Sequence, residues 1–168
     1  MRRAGFTLLE LLVSIFLLSF ILLFLFKSIE NLNISNRVFE SNTKKTEIRD
    51  KVMKVLYDDI FYAKKIFISG KDIQRVDMLT TNSLHDIESA YVTWMVSSKK
   101  DNTLLRLEAS KSLRNNFSYE DRYTIHINQV AKKCKKFQVH KSKKGDKFLI
   151  HIKFEDQKPI IFEFFKPN

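Results

Sequence analysis

The sequence predicts an α+β fold in which a long N-terminal helix, transmembrane in its first part, packs on an antiparallel β-sheet. Three observations lead to this prediction. An apolar run extends without interruption from Phe6 to Phe26. Helical periodicity then sharpens over residues 46–67. Residues 68–168 are rich in β-strand patterns separated by turn signals, although residues 80–90 are ambiguous.

The apolar run is long enough to cross a membrane. It holds 21 residues and one charge, Glu10, and as a helix it would be about 31 Å long, against a hydrocarbon core of about 30 Å. Arg2 and Arg3 precede it and favour a cytoplasmic N-terminus, with the rest of the chain across the membrane. A secretory signal would have a shorter apolar region and a small-residue cleavage site after it.

Glu10 is the unusual residue of this run. An ionised carboxylate at membrane depth costs on the order of 3 kcal/mol, so such a group normally has a partner. The run contains no cation. We therefore expect the partner to be another chain or a newly made N-terminus.

The residues Gly5-Phe6-Thr7-Leu8-Leu9-Glu10, behind a short basic leader, resemble the class III signal of type IV pilins and pseudopilins. The resemblance implies that prepilin peptidase cuts between Gly5 and Phe6 and methylates the Phe6 amine. It also implies that Glu10 pairs with the Phe6 amine of a neighbouring subunit during filament assembly. No cofactor is implied. A plain single-span anchor is the alternative, and it leaves Glu10 unexplained.

The resemblance implies an organisation for the whole chain. Residues 1–5 would be the leader peptide, residues 6–27 the transmembrane and filament-core helix, and residues 28–168 a pilin-like globular domain. The chain would sit in the bacterial inner membrane with that domain in the periplasm. It would then join a pseudopilus with other major and minor pseudopilins.

Residues 46–67 are predicted to form an amphipathic helix on the sheet. The apolar residues recur at i, i+4 and i+7 or i+8, namely Ile48, Val52, Val55, Leu56, Ile60 and Ala63. Before them, Ser35-Asn36 and Ser41-Asn42-Thr43 are weak helix formers that suggest a bend or break.

The rest of the chain is predicted to form strands. Residues 91–96 and 103–107 flank a polar turn and predict a hairpin. Residues 123–127, 137–139, 148–154 and 159–165 predict an antiparallel meander with one buried face, with turns at 144–146 and 156–159.

Within the family, the globular part is most similar to J-type minor pseudopilins. The similar stretches are Val52–Ile60, Val92-Thr93-Trp94, Leu104–Glu108, and a tail with Phe137-Gln138-Val139 and Pro159-Ile160-Ile161. The K-type member typically lacks the membrane glutamate, so Glu10 argues against that identity.

Catalytic motifs are absent from the sequence, and we expect a protein that is not an enzyme. His126 and His151 could face each other across strands, but no third metal ligand has a suggestive spacing. Cys134 lies among lysines that would favour the thiolate, although a structural role is the preferred interpretation. Asp58 and Asp59 are adjacent, and adjacent helix positions do not face each other.

The chain is basic, with a net charge of +11. A cluster of eight lysines against Asp146 raises the prospect of a nucleic-acid or acidic-partner patch. Its members are Lys132, Lys133, Lys135, Lys136, Lys141, Lys143, Lys144 and Lys147. A solvated, lysine-rich sheet edge is the preferred interpretation.

Three functions are therefore open. The first is a minor pseudopilin that builds a type II secretion or type IV pilus-like filament or its initiating tip complex. The second is a DNA-contacting minor pilin of a competence system, and the third is an uncleaved membrane protein with a sensor domain.

Overall fold

The computed structural model describes residues 7–99, 101–114, 124–144, 146–155 and 157–166. Gly5 and Phe6, the predicted strand residue Tyr123, and the predicted turn residues Lys100, Gly145 and Asp156 lie outside them. The elements are helix α1 (Leu8–Phe61) and strands β1 (Ala63–Ser69), β2 (Arg75–Thr80), β3 (Ala90–Ser97), β4 (Thr103–Ala109), β5 (His126–Ala131), β6 (Cys134–Lys141), β7 (Lys147–Phe154) and β8 (Ile160–Phe165).

The chain divides into two compact units, Met1–Thr46 and Glu47–Asn168. The described part of the first unit is helical from Leu8 onward. The break suggested at residues 35–36 and 41–43 is absent, because weak helix formers cost only tenths of a kcal/mol each and their neighbours favour the helix.

In the second unit, α1 buries one face. Val52, Leu56 and Ile60 are fully buried, which confirms the predicted stripe. However, the helix ends at Phe61 rather than at residue 67, and β1 begins at Ala63. Side chains with a period of two, including the β-branched Ile66 and Ile68, favour a strand there over further helical turns.

The first sheet has the order β1-β2-β3-β4-β5, and every pair of neighbours is antiparallel. The predicted β3–β4 hairpin is confirmed by the pairing of Val96 with Leu104 and of Ser97 with Thr103. Asp101 and Asn102 adopt positive φ angles of 55° and 48° in its turn, a conformation that Asp and Asn tolerate better than most residues.

The second sheet has the order β6-β7-β8, again antiparallel. The prediction of one four-stranded meander is therefore wrong, because β5 pairs with β4 instead of β6. The chain leaves the first sheet at Lys133, which has a φ of 60°. Its backbone N–H donates to the Asp101 carbonyl at 3.0 Å, and that of Cys134 donates to the Asn102 carbonyl at 2.8 Å.

A single hydrophobic core joins these elements. Residues of α1 and of both sheets contribute to it, and the stacked rings of Trp94 in β3 and Phe137 in β6 have centroids 6.4 Å apart. A long apolar N-terminal helix followed by antiparallel sheets confirms the predicted α+β, pilin-like fold class.

Candidate functional site

The N-terminal end of α1 is fixed by a reciprocal cap between Thr7 and Glu10. The Glu10 carboxylate accepts hydrogen bonds from the Thr7 backbone N–H at 2.9 Å and from its hydroxyl at 3.0 Å. The Glu10 backbone N–H donates to the Thr7 hydroxyl oxygen at 3.3 Å. This is a capping box, in which Thr and Glu satisfy N–H groups that the helix leaves unpaired. Glu10 thus has a neutral local partner that the sequence analysis did not foresee.

Residues 8–26 present apolar side chains on every side of α1. Leu8, Phe16 and Phe24 are 78%, 63% and 72% exposed, and the other large apolar side chains of the run are also exposed. Among the described residues, α1 is the one helix long and apolar enough to cross a membrane. Apolar surface of this kind is stable only in lipid or against other apolar helices.

Three of the eight lysines of the basic cluster lie beside carboxylates. Lys133 and Lys135 lie 3.1 Å and 2.9 Å from the carboxylate of Glu155, and their hydrogen bonds and charges lower the pKa of that carboxyl. Lys147 pairs with Glu163 at 3.0 Å. Three of the eight charges are therefore offset by neighbouring carboxylates.

Five lysines of the cluster remain, and the first of them, Lys132, is exposed between β5 and β6. Lys136 lies beside Lys153 on the pair β6–β7, whereas the ammonium of Lys141 lies 5.8 Å from the centroid of the Phe148 ring. Lys143 and Lys144 are exposed in the turn before β7. Both interpretations of the cluster, a partner-binding patch and a solvated sheet edge, therefore stay predictions.

The prediction that lysine neighbours favour a Cys134 thiolate is wrong. Cys134 is fully buried, and its thiol donates to the Lys136 carbonyl at 3.4 Å. Burial raises the pKa of the thiol to about 11, outweighing the hydrogen bond that lowers it. A buried, protonated thiol behaves as a small apolar residue.

The two histidines considered as metal ligands lie in different sheets. His126 is in β5, where its ring stacks on that of His85 with centroids 4.0 Å apart. His151 is in β7, and burial, followed by the charges of Lys136, His140 and Lys153, lowers its pKa. No group of three His, Cys, Asp or Glu side chains suited to a metal occurs among the described residues.

A buried polar cluster lies at the centre of the second unit, where α1 meets β3 and β4. The Asp59 carboxylate and the Arg106 guanidinium form a two-pronged pair, with Nε–Oδ2 and Nη2–Oδ1 distances of 2.8 Å and 2.9 Å. The Trp94 indole N–H donates to Asp59 Oδ2 at 2.7 Å, and the Asn82 amide donates to Oδ1 at 2.8 Å. Arg106 also donates to Glu108 through Nη1.

Glu108 continues this network into the loop after β2. Its carboxylate accepts the Ser83 hydroxyl and the Leu84 backbone N–H, the latter at 3.1 Å. Burial would raise the pKa of Glu108, but the hydrogen bonds from Ser83 and Arg106 outweigh it and hold this pKa below its usual value. Burial likewise opposes the charge of Arg106, and its two carboxylate partners outweigh that effect and raise its pKa.

This cluster is built for structure. Among the described residues, every buried side-chain nitrogen and oxygen has a hydrogen-bond partner. The cluster therefore ties α1, β3, β4 and the 82–87 loop together and leaves no open position for a ligand.

Sequence reasoning missed the cluster. In Leu104–Glu108 the alternation of Leu with Arg and Glu suggests that the polar residues face solvent. In the structure Arg106 and Glu108 are fully buried, whereas Leu105 and Leu107 are half-buried. The available signal was the spacing of Arg106 and Glu108, which places both on one face of a strand.

Comparison of the chain with known proteins gives one match, to the family model described as the prokaryotic N-terminal methylation motif, over residues 1–26. No curated protein and no solved structure matches. The matched segment lies within the first unit and includes the apolar part of α1, and nothing in it indicates a J-type subunit. The motif is the one that type IV pilin-like precursors carry for processing by prepilin peptidase, the apolar helix is consistent with a single-pass membrane anchor, and the α+β fold behind it is pilin-like.

Proposed function

We propose that the chain is a minor pseudopilin, a structural subunit of a type II secretion or type IV pilus-like filament or of its initiating tip complex. Prepilin peptidase cuts between Gly5 and Phe6 and methylates the Phe6 amine. Glu10 then pairs with the Phe6 amine of a neighbouring subunit. The observation that carries the proposal is the methylation motif over residues 1–26, with a carboxylate placed inside an apolar helix.

The surface of α1 supports assembly by helix packing. Its apolar side chains between Leu8 and Phe26 are exposed on all sides, so they suit the membrane first and the helices of neighbouring subunits later. The capping box supplies Glu10 with hydrogen bonds but no positive charge. An incoming ammonium group would neutralise the carboxylate in a low-dielectric environment, where charge pairing is strong.

The proposed topology follows from the same residues. Arg2 and Arg3 hold the N-terminus in the cytoplasm, residues 6–27 span the inner membrane, and residues 28–168 form the periplasmic domain. Cys134, the one cysteine of the chain, is buried. The stability of such a domain therefore comes from its hydrophobic core and from the Asp59–Arg106–Glu108 cluster rather than from a disulfide.

The J-type subtype is a finer proposal. Sequence similarity around Trp94, Arg106 and Glu108 supports it, and the presence of Glu10 disfavours the K-type. Cross-linking of the native membrane, followed by identification of the attached subunits, tests it. Capture of other minor pseudopilins is the expected result, and capture of a major pilin alone contradicts it.

The second candidate is a DNA-contacting minor pilin of a competence pseudopilus. The exposed Lys143 and Lys144 favour it, although the ion pairs of Lys133, Lys135 and Lys147 weaken it. Phosphate contacts release counterions, so binding of duplex DNA should fall steeply with salt and be lost in a Lys143→Ser/Lys144→Ser variant. Absence of DNA binding at low salt excludes this candidate.

The first experiment is mass spectrometry of the N-terminus of the chain isolated from its native membrane. A chain that begins at methylated Phe6, and that keeps its leader in a Gly5→Ala variant, is the expected result. An Ala4→Ser variant, altered next to the cleavage site, serves as the matched control and should be processed. A wild-type chain that still begins at Met1 refutes the proposal and leaves an uncleaved membrane anchor.

A second experiment separates the charge of Glu10 from its capping role. Glutamine can occupy the same place in a capping box, so Glu10→Gln keeps the cap and removes the charge. We expect normal processing of this variant and loss of its cross-linking to other subunits. Wild-type cross-linking in Glu10→Gln refutes the proposed pairing with the Phe6 amine.

A further inference from the structure

Strand β8 is the outer strand of the second sheet, and its exposed edge is apolar. It pairs with β7 on one side, and among the described residues no strand pairs with its other side. Its sequence is Ile-Ile-Phe-Glu-Phe-Phe, with Ile161 and Phe165 56% and 65% exposed. Only Glu163 carries a charge in this strand.

The pairing with β7 shows which backbone groups of β8 face outward. The Lys166 backbone N–H donates to the Asp146 carbonyl at 2.7 Å, which continues the ladder one residue beyond β8. Hydrogen-bonded residues alternate along an antiparallel pair, so the N–H and C=O groups of residues 160, 162 and 164 face β7. Those of Ile161, Glu163 and Phe165 therefore face the open edge.

The outer edges of β1 and β6 carry protection that β8 lacks. Strand β1 has Lys64 and Lys65, both exposed, and an irregular register between Ala63 and Lys65. The outer edge of β6 is covered by Gln74, whose N–H donates to the Phe137 carbonyl at 2.9 Å. The β7–β8 register is regular throughout. Charges, bulges and covering segments are the usual devices that stop a strand from pairing with another chain.

An apolar groove of about 300 Å³ lies between α1 and β8. Met53 and Tyr57 of α1 and Phe162 of β8 line it, with Asp50 and Lys54. A strand added to β8 would direct alternate side chains to the face that bears Phe162. An apolar side chain in that position would cover the groove.

We propose that β8 binds an extended segment of a different protein chain, which adds to the second sheet as a fourth strand. The backbone groups of Ile161, Glu163 and Phe165 supply the hydrogen bonds, and this is the mode of recognition known as β-augmentation. The segment carries apolar side chains opposite Ile161 and Phe165. It carries Lys, Arg or another hydrogen-bond donor opposite Glu163, the residue at the centre of the edge.

The charge of Glu163 is what argues for a different chain rather than a second copy. Two β8 strands that pair antiparallel through the same outward-facing residues place Glu163 directly opposite Glu163. Like charges in that position destabilise a strand pair. A cation or hydrogen-bond donor on the partner removes this conflict. The inference depends on β8 alone, so it can fail while the N-terminal processing proposed above holds, and the reverse is also true.

The test uses the full chain in detergent micelles and a labelled synthetic peptide that alternates Val and Thr around a central Lys. Fluorescence anisotropy measures binding. In a Glu163→Pro variant the outward-facing N–H is removed, whereas the pairing with β7 does not use that group. The matched control, Glu163→Ala, loses the same carboxylate and the Lys147 contact but keeps the N–H.

We expect the wild type and Glu163→Ala to bind the peptide and Glu163→Pro to bind it about tenfold or more weakly, since backbone hydrogen bonds at the edge are lost. A peptide N-methylated at the amides that would face β8 should not bind. Hydrogen exchange should be fast at residues 161 and 165 in the free chain and slow with peptide. Fluorescence of Trp94 checks that each variant is folded.

Three results overturn the proposal. The first is the absence of binding or of new amide protection at millimolar peptide. The second is equal binding by Glu163→Pro and Glu163→Ala. The third is protection of residues 161 and 165 in the chain without peptide that grows with chain concentration, which would make a second copy the occupant.

Discussion

Removal of the buried guanidinium tests the account of the Asp59–Arg106–Glu108 cluster most directly. An Arg106→Met substitution keeps much of the side-chain volume and leaves two carboxylates buried without their cation. Loss of one partner from a buried ion pair typically costs about 3–5 kcal/mol. With a urea dependence of about 2 kcal/mol per molar, the unfolding midpoint should fall by about 2 M.

The assay is urea unfolding of the full chain in micelles, followed by the fluorescence of Trp94. Trp94 is the single tryptophan of the chain, is fully buried and donates to Asp59, so its emission reports on the cluster itself. The matched control is Arg75→Met on strand β2 of the same sheet. Arg75 pairs with Asp77 at 2.9 Å but is about one-third exposed, so we expect its loss to matter much less.

The pH dependence of the stability lost in Arg106→Met gives a second readout. In the wild type, the folded-state pKa of Glu108 is lower than its unfolded-state pKa. The ionised carboxylate therefore stabilises the folded chain at pH values above the unfolded-state pKa, and this stabilisation is lost as the pH falls through the folded-state pKa. In Arg106→Met the guanidinium that lowers the pKa of Glu108 is gone while the burial that raises it stays, so we expect that variant to gain relative stability in acid. The difference between the two proteins should therefore shrink between pH 7 and pH 4.

Two outcomes would refute this reasoning. One is an Arg106→Met unfolding midpoint within about 0.3 M urea of the wild-type midpoint at pH 7. The expected loss of about 3–5 kcal/mol would shift the midpoint by much more than that. The other is a deficit that does not change with pH. If Arg106→Met fails to fold, an Asp59→Leu/Arg106→Met/Glu108→Leu variant provides the comparison. It strands no charge and leaves only neutral donors such as the Trp94 indole unpaired, so it should be milder.

Three further substitutions or treatments probe single contacts. Trp94→Phe removes the N–H donor to Asp59 and should lower the free energy of unfolding by about 1–3 kcal/mol in circular dichroism melts, whereas an unchanged melt would show that this hydrogen bond is dispensable. Cys134, with its pKa raised to about 11, should not react with a thiol reagent at pH 8 until urea unfolds the chain, and rapid labelling of the native protein contradicts its burial. Gly70→Ala should destabilise by about 1–3 kcal/mol in the same urea assay, because φ is 93° and the added carbon would lie 2.7 Å from the Ile73 carbonyl oxygen; no loss would mean that this turn adapts freely.

Local patterns made part of the fold predictable. The stripe of Val52, Leu56 and Ile60 follows directly from helical spacing, and the β3–β4 hairpin from two apolar segments around a polar turn. The capping box is likewise a local pattern, since Thr7 and Glu10 are three residues apart and have the residue types that such a cap requires.

The rest depends on contacts between distant residues. Nothing local tells β5 to pair with β4 rather than β6, since that choice is made by the turn at Lys133 and its bond to Asp101. The burial of Arg106 is likewise decided 47 residues away, by Asp59 on α1. Periodicity shows which side chains share a face of a strand. It does not show which face is buried, because a polar face can be buried when its charged residues have partners of opposite charge.

The strand order has a consequence for how the second unit folds. Every paired strand is the neighbour of its partner in the sequence, so each sheet can grow one hairpin at a time as the chain emerges. Local pairing of this kind favours rapid folding. The core closes late, however, because Phe137, Phe148 and Ile150 of the last strands pack against residues of α1 and the first sheet. Until β6–β8 are complete, the inner face of the first sheet stays open, and that interval is when the chain is most exposed to aggregation.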